Sequence, residues 1–112
     1  MKIEHELGNE ELIFKFEGEM IWQTLHKYAE KMMKLVENED FKVVLFDFED
    51  VSYVDSTGVG LLIEVYKITK SRNLKLAVWG MNEDSYENLV LTGLDRIIVN
   101  YDSKADALKD IM

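Results

Sequence analysis

The segment Asp55-Ser56-Thr57-Gly58-Val59-Gly60 brings together a carboxylate, two hydroxyls and two glycines. It lies where a predicted apolar strand ends and a predicted helix begins. A helix start offers unpaired N–H groups and a positive dipole end, which favour an anion or a phosphate. Two glycines in the first turn cost about 1 kcal/mol each relative to alanine. The segment therefore predicts a small, flat surface that another molecule can approach closely.

Two simpler interpretations of the same residues stay open. Asp55 or Ser56 is also a good N-cap, and the glycines would let the helix and the strand approach each other. The pair Gly58-x-Gly60 resembles part of a nucleotide-binding loop. However, the third glycine of G-x-G-x-x-G and the lysine of G-x-x-x-x-G-K-[ST] are both missing. Weak nucleotide binding or hydrolysis at this turn is therefore a third, minor reading.

The rest of the sequence offers little catalytic chemistry. The chain has two histidines and no cysteine, and no serine lies in a G-x-S-x-G elbow. His5 is predicted to be semi-buried on the apolar face of an edge strand, and His26 to be exposed on the first helix. Two histidines far apart in sequence are too few for a zinc site. We therefore predict a protein that is not an enzyme, with no catalytic residue, no metal and no cofactor.

A phosphate on Ser56 would act mainly on a binding partner. It would lie at the helix start, where the dipole stabilises it, so we expect the helix to remain folded. It would add about −1.5 to −2 charges beside Asp55. Asp47, Glu49 and Asp50 would add to this field if they line the same end of the sheet. The residues are thus compatible with an interaction switch, and the simpler interpretations stay open beside it.

The elements that must position this segment follow from hydrophobic periodicity. Two alternating runs around Gly8-Asn9-Glu10 predict an antiparallel hairpin with one solvated face. An amphipathic helix from Ile21 to about Asn38, carrying Trp22 and Leu25 on its apolar side, comes next. The later predicted elements are a strand Val43–Phe46, a helix Thr57–Asn73, a strand Leu74–Trp79, a short helix Glu83–Leu91, a strand Arg96–Asn100 and a last helix opened by Ser103 and Asp106.

The order β-β-α-β-α-β-α-β-α predicts an α/β fold. Its βαβ units require parallel strands with right-handed crossovers, and the hairpin adds an antiparallel edge. The fold class is a small mixed β-sheet, with an antiparallel N-terminal hairpin, parallel βαβ units and about four helices. A length of 112 residues predicts a single domain over residues 1–112.

The charge of the chain restricts its partners. The formal net charge is −9, which repels nucleic acid and anionic lipid, so we predict neither as a partner. A protein with a basic or apolar docking face fits better, and the acidic surface favours a monomer. The N-terminus lacks an apolar signal-peptide core, and no apolar run reaches about 20 residues. These features predict a cytoplasmic protein.

Longer stretches of the chain carry a family resemblance. Val43-Val44-Leu45-Phe46-Asp47-Phe48 and Val51-Ser52-Tyr53-Val54-Asp55-Ser56-Thr57-Gly58-Val59-Gly60-Leu61-Leu62 resemble the signature of the STAS domain. Phe16-Glu17-Gly18-Glu19-Met20 and Leu91-Thr92-Gly93-Leu94-Asp95-Arg96-Ile97-Ile98 are further matches. Within that family the chain is similar to the bacterial anti-sigma factor antagonists. It departs from many of them at Ile21, where they carry an aspartate.

The resemblance implies a partner switch. The unmodified antagonist binds an anti-sigma factor that is also a serine kinase, which frees a sigma factor for transcription. The kinase phosphorylates the serine after the motif aspartate, here Ser56, the complex separates, and a PP2C-type phosphatase resets the system. Asp55, Thr57 and Gly58 match the residues that support the acceptor loop. The alternative is a STAS module that is not phosphorylated and acts as a nucleotide or small-ligand sensor or as a scaffold.

Helix geometry predicts which residues of the second helix face a partner. Leu62, Ile63 and Tyr66 share a stripe that we expect to pack on the sheet. Val59 and Gly60 match the partner-contacting helix start of the family, and we expect both to be exposed. On that expectation Val59→Glu would weaken partner binding and leave the melting temperature nearly unchanged. Trp79 is expected at the same end of the sheet as this helix start.

Overall fold

The structure is a computed structural model that describes residues 1–111. Its chain order agrees with the predicted order, with one added 3₁₀ turn. The strands are β1 Lys2–Leu7, β2 Glu11–Met20, β3 Val43–Val54, β4 Lys75–Trp79 and β5 Asn100–Tyr101. The helices are α1 Trp22–Asn38, α2 Ser56–Ser71, α3 Glu83–Thr92 and α4 Lys104–Ile111, with a 3₁₀ turn at Leu94–Arg96.

The strands form one sheet in the order β1-β2-β3-β4-β5. β1 and β2 pair antiparallel around Gly8, with Leu7 opposite Leu12. Each of the pairs β2–β3, β3–β4 and β4–β5 is parallel. The predicted fold class, a mixed sheet with an antiparallel hairpin and parallel βαβ units, is confirmed.

Helices cover the two faces of the sheet unequally. The larger core lies between one face and helices α1, α2 and α3. α4 covers part of the other face, where Ala107 packs against Val43, Leu45, Ala77 and Trp79. β2 and β3 carry the centre of the larger core with a group of fully buried phenylalanines, namely Phe14, Phe16, Phe46 and Phe48.

The predicted burial of His5 is wrong. His5 is exposed, and its ring contacts the core only at the edge, with a centroid 6.2 Å from that of Phe14. β1 is an edge strand, and only Ile3 of its apolar face is half-buried and packs against the core. Leu7 at its end is 44% exposed. The alternation of β1 is therefore real, but the helix layer does not extend over the whole strand.

The predicted strand Arg96–Asn100 is also wrong in its bounds. Gly93 ends α3 in the left-handed conformation, with φ of 77°, and a 3₁₀ turn follows. The Leu94 carbonyl then accepts hydrogen bonds from the N–H groups of both Ile97 and Ile98. Because those groups are used in the turn, strand pairing begins only at Asn100.

The start of α4 agrees with its predicted capping signal, since the Asp106 N–H donates to Ser103 Oγ at 3.1 Å. Among the described residues, no helix is long and apolar enough to span a membrane.

Candidate functional site

The candidate site lies where β2 and β3 end side by side. Met20 pairs with Val54, the last residue of each strand, and a helix begins within two residues of each. The Asp55 N–H donates to the Met20 carbonyl at 3.2 Å and continues the pairing one step further. The starts of α1 and α2 are therefore neighbours at the carboxyl edge of the sheet, where ligands and partners of open α/β sheets commonly bind.

Asp55 is the N-cap of α2. Its Oδ1 accepts hydrogen bonds from the Thr57 N–H at 2.8 Å and the Gly58 N–H at 3.2 Å. Two of the unpaired N–H groups at the helix start are thereby satisfied. The capping interpretation of Asp55 is confirmed, and it leaves Ser56 as the first helical residue.

Ser56 is exposed, whereas Thr57 beside it is half-buried. The two hydroxyl residues therefore differ in how easily a large partner can reach them. The helix dipole places partial positive charge at this turn, which favours a negative group on Ser56. The exposed Glu19 pairs with Tyr53 near the ends of β2 and β3, and Asp55 lies directly before Ser56. The site combines an accessible hydroxyl with acidic residues at the two neighbouring strand ends.

Gly58 is fixed by close packing. A Cβ at this position would lie 2.6 Å from Val54 Cγ1 and 2.8 Å from Met20 Cγ. Real Cβ atoms essentially never approach so closely, so only glycine lets α2 start this near the strand ends. By contrast, a Cβ on Gly60 would meet nothing within 4 Å. Gly58 thus lies on the packed side of the α2 start, and Gly60 lies on its open side.

The predicted exposure of Val59 is wrong. Val59 is only 4% exposed and belongs to the main hydrophobic core, next to the buried Leu61 and Leu62. α2 contacts β3, α1 and α3, so its buried surface is wider than the single stripe that the sequence suggested. The stripe itself is confirmed, because Leu62 is buried and Ile63 and Tyr66 pack against the same core.

The acidic residues of β3 do not join the site. Asp50 pairs with Glu17 in mid-strand, five residues before Asp55. At about 3.3 Å per residue this separates them by roughly 15 Å. Asp47 lies still further away, is 8% exposed, and its pKa is raised by burial. The conditional prediction that these carboxylates line the same end is wrong.

Trp79 lies beside the acidic residues of β3 and not at the start of α2. It pairs with Asp47, and its indole N–H donates to Glu49 Oε1 at 2.6 Å. β3 continues from Asp47 to Val54 beyond this point, opposite Lys15 to Met20 of β2, which is roughly 16 Å along the sheet. The expectation that Trp79 lies at the same end of the sheet as the α2 start is wrong, because β3 is so much longer than β4.

Two aromatic side chains near the site, Trp22 and Tyr53, are exposed although the sequence did not predict it. Trp22, assigned to the apolar side of the first helix, is 59% exposed at the α1 start. His26 is exposed, as predicted, and stacks on Trp22 with ring centroids 4.9 Å apart. Tyr53 on the β3 end is 44% exposed. The position of Trp22 in the first turn of its helix, beyond the sheet edge, is the signal that could have indicated its exposure.

Two asparagines from the α3 region also contact the end of β3. Asn82 Nδ2 donates to the carbonyls of Val51 and Ser52 at 3.3 and 3.0 Å. Asn88 Nδ2 donates to the Val54 carbonyl at 2.7 Å. Among residues 1–111, no group of three or more metal-ligating side chains comes together.

Comparison with known proteins places this geometry in a family. The STAS domain family model matches residues 2–107. An anti-sigma F factor antagonist from Paenibacillus polymyxa is 23% identical over 111 residues, 99% of this chain and 93% of that protein.

Solved structures show the same fold. The structure of the anti-sigma factor antagonist SpoIIAA in its unphosphorylated form has a TM-score of 0.84 and 15% identity, over 98% of this chain and 96% of that one. The structure of SpoIIAA, described as a Bacillus cell fate determinant, in the phosphorylated form has a TM-score of 0.77 and 15% identity, over 99% and 100%. The chain belongs to the STAS domain family.

Proposed function

We propose that this protein is an anti-sigma factor antagonist controlled by phosphorylation of Ser56. The unmodified form binds an anti-sigma factor with serine kinase activity in the cytoplasm and thereby releases a sigma factor. Phosphorylation by that kinase ends the complex, and a PP2C-type phosphatase restores the binding form. The protein itself catalyses no step.

The observation that carries the proposal is the placement of Ser56. It is exposed at the first position of a helix whose N–H groups at Thr57 and Gly58 are already capped by Asp55. A kinase therefore gains access to the hydroxyl without unfolding the helix. The Paenibacillus polymyxa relative is an anti-sigma F factor antagonist, and SpoIIAA, whose fold this chain shares, has both an unphosphorylated and a phosphorylated form, which supports the same assignment.

Electrostatics explain why a phosphate would act on docking rather than on folding. At the α2 start a phosphate meets a favourable helix dipole, which offsets repulsion from Asp55. A partner that docks over Ser56 must instead accommodate about two further negative charges beside Asp55. We therefore expect the modified protein to stay folded and to lose affinity for its partner.

Mass measurement after incubation with ATP and the cognate kinase tests the site. Wild type should gain one phosphate and Ser56→Ala none. Ser52→Ala is the matched control, because it removes another exposed serine hydroxyl near the end of β3 and should still gain the phosphate. Phosphate on Ser56→Ala, or none on wild type with any anti-sigma kinase, would overturn the assignment. The second result would favour an unphosphorylated sensor or scaffold.

Binding measurements test the switch itself. Ser56→Glu should weaken binding of the anti-sigma factor at least about tenfold, while its melting temperature stays close to that of wild type. Unchanged affinity would show that charge at this position does not control docking.

A further inference from the structure

The end of β3 next to the site lacks a strand partner on one side. β3 pairs with β2 as far as Val54, but its pairing with β4 ends at Asp47 opposite Trp79. From Phe48 onward the side of β3 that faces away from β2 therefore needs other partners for its backbone groups. Buried backbone groups without a partner cost free energy, so some other part of the chain must supply them.

Asparagine side chains of the α3 region fill this role. Asn82, the N-cap of α3, donates to the carbonyls of Val51 and Ser52. Asn88, one and a half turns into the helix, donates to the carbonyl of Val54 at 2.7 Å. Asn88 therefore holds the carbonyl of Val54, the residue directly before the capping Asp55.

The carbonyl held by Asn88 belongs to a peptide group that is held at both ends. Its C=O comes from Val54 and its N–H from Asp55, and this N–H donates to the Met20 carbonyl at 3.2 Å. A peptide group is planar, so fixing both polar ends fixes the orientation of the whole plane. That plane leads directly into Asp55, whose carboxylate caps α2.

We propose that Asn88 is a positioning residue for the Ser56 hydroxyl. It contacts the strand end rather than Ser56, and it acts by fixing the peptide plane from which Asp55 and then Ser56 continue. The inference rests on the proposed function, since it concerns the acceptor of the phosphoryl group. Phosphoryl transfer depends on placement of the acceptor, and a displacement of about 1 Å can cost up to roughly 100-fold in rate.

Asn88→Asp is the sharpest test, because it keeps the shape of the side chain and replaces the donor with a carboxylate. Asn38→Asp is the matched control, since Asn38 Nδ2 also donates to a carbonyl, that of Lys34, at the far end of α1. Both variants add one negative charge. Asn88→Gln restores the donor on a longer stem and serves as the conservative variant.

Amide hydrogen exchange gives a readout that needs no kinase. In Asn88→Asp the Thr57 and Gly58 amides, which donate to Asp55, should exchange roughly tenfold faster than in wild type or in Asn38→Asp. Amides of β2 distant from the site, such as that of Phe14, should be unchanged. Equal exchange at Thr57 and Gly58 in all three proteins would overturn the inference.

Steady-state phosphorylation gives the second readout. Asn88→Asp should lower kcat roughly tenfold with a smaller change in KM, and Asn88→Gln should recover part of the loss. Normal phosphorylation of Asn88→Asp would overturn the positioning role.

If wild type itself is not phosphorylated, the proposed function fails, while the exchange experiment still decides whether Asn88 orders the loop. Should Asn88→Asp fail to fold, Asn88→Ala carries both measurements, because it removes the donor without adding a charge, and its equality with wild type would overturn the inference.

Discussion

The starts of α1 and α2 occupy equivalent places in the fold but expose different kinds of residue. Each helix begins just beyond the end of one of two paired strands. α1 starts with the exposed ring of Trp22, which stacks on His26. α2 starts with the exposed Ser56, and Gly60 adds no side chain to its open side. The same backbone arrangement thus carries an aromatic surface on one helix and an exposed hydroxyl on the other.

The two helix starts are also capped from opposite sides. At α2 the cap comes from Asp55, the residue before the helix. At α1 the residue before the helix is Ile21, whose side chain cannot cap; instead Thr24 Oγ1, inside the helix, accepts the Ile21 N–H at 3.4 Å, and its hydroxyl donates to the Glu19 carbonyl at 2.6 Å. Neither cap uses the first helical position, which is Ser56 in α2 and Trp22 in α1. The two helix starts therefore differ in the residue that each leaves exposed at this position.

The largest effect is expected from a charge on the buried side of the α2 start. Val59→Glu should lower the free energy of unfolding by about 3 kcal/mol or more, because it places a carboxylate in the core. Chemical denaturation with urea measures this loss. The expectation that this variant would leave the melting temperature unchanged no longer holds once Val59 is buried.

Trp22→Glu is the matched control at the α1 start. Trp22 is 59% exposed, so the same charge there should cost no more than about 1 kcal/mol. If both variants lost similar stability, the contrast between a buried position on α2 and an exposed one on α1 would be wrong.

The misplacement of Val59 shows what the sequence can and cannot predict. Local patterns predicted the hairpin, the βαβ order and the cap at Asp55, because each depends on neighbouring residues. Val59 is buried in a core to which distant elements contribute, and α2 contacts α1, α3 and the sheet, which the local hydrophobic period of α2 does not reveal. The bond from Asn88 to Val54 joins residues 34 positions apart, and an asparagine on a helix gives no sign of so distant a partner. The turn that uses the Leu94 carbonyl likewise displaced the last strand from its predicted bounds.

An intermediate effect is expected from the glycines of α2. Gly58→Ala should lower the free energy of unfolding by about 1–2 kcal/mol. The added Cβ lies 2.6 Å from Val54 Cγ1, on a stiff β-branched side chain, and this overpacking outweighs the gain in helix propensity. Thermal and urea unfolding both measure the change.

Gly60→Ala separates packing from propensity. Its Cβ would meet nothing within 4 Å, so only the propensity gain remains and stability should rise by about 0.5–1 kcal/mol. A loss of stability at Gly60, or none at Gly58, would contradict the assignment of one glycine to the packed side of α2 and the other to its open side.

The smallest effect is expected from the caps themselves. Asp55→Ala should lower the free energy of unfolding by about 1 kcal/mol, since the N–H groups of Thr57 and Gly58 lose their acceptor. Thr24→Ala removes the acceptor of the Ile21 N–H and the donor to the Glu19 carbonyl at α1, and should cost a similar amount, about 0.5–1 kcal/mol. Urea denaturation of the two variants under one set of conditions compares the helix starts directly.

Asp55→Asn divides the contribution of Asp55 into hydrogen bonding and charge. Asparagine caps helices about as well as aspartate, so the variant keeps the acceptor and loses only the favourable charge near the helix dipole, about 0.3–1 kcal/mol. If Asp55→Asn is as unstable as Asp55→Ala, charge dominates at this helix start, and a phosphate on Ser56 would compete with Asp55 for the same dipole. If Asp55→Asn stays close to wild type, the cap is mainly a matter of geometry. The dipole is then available to the phosphate, and phosphorylation leaves the fold intact while it changes the docking surface.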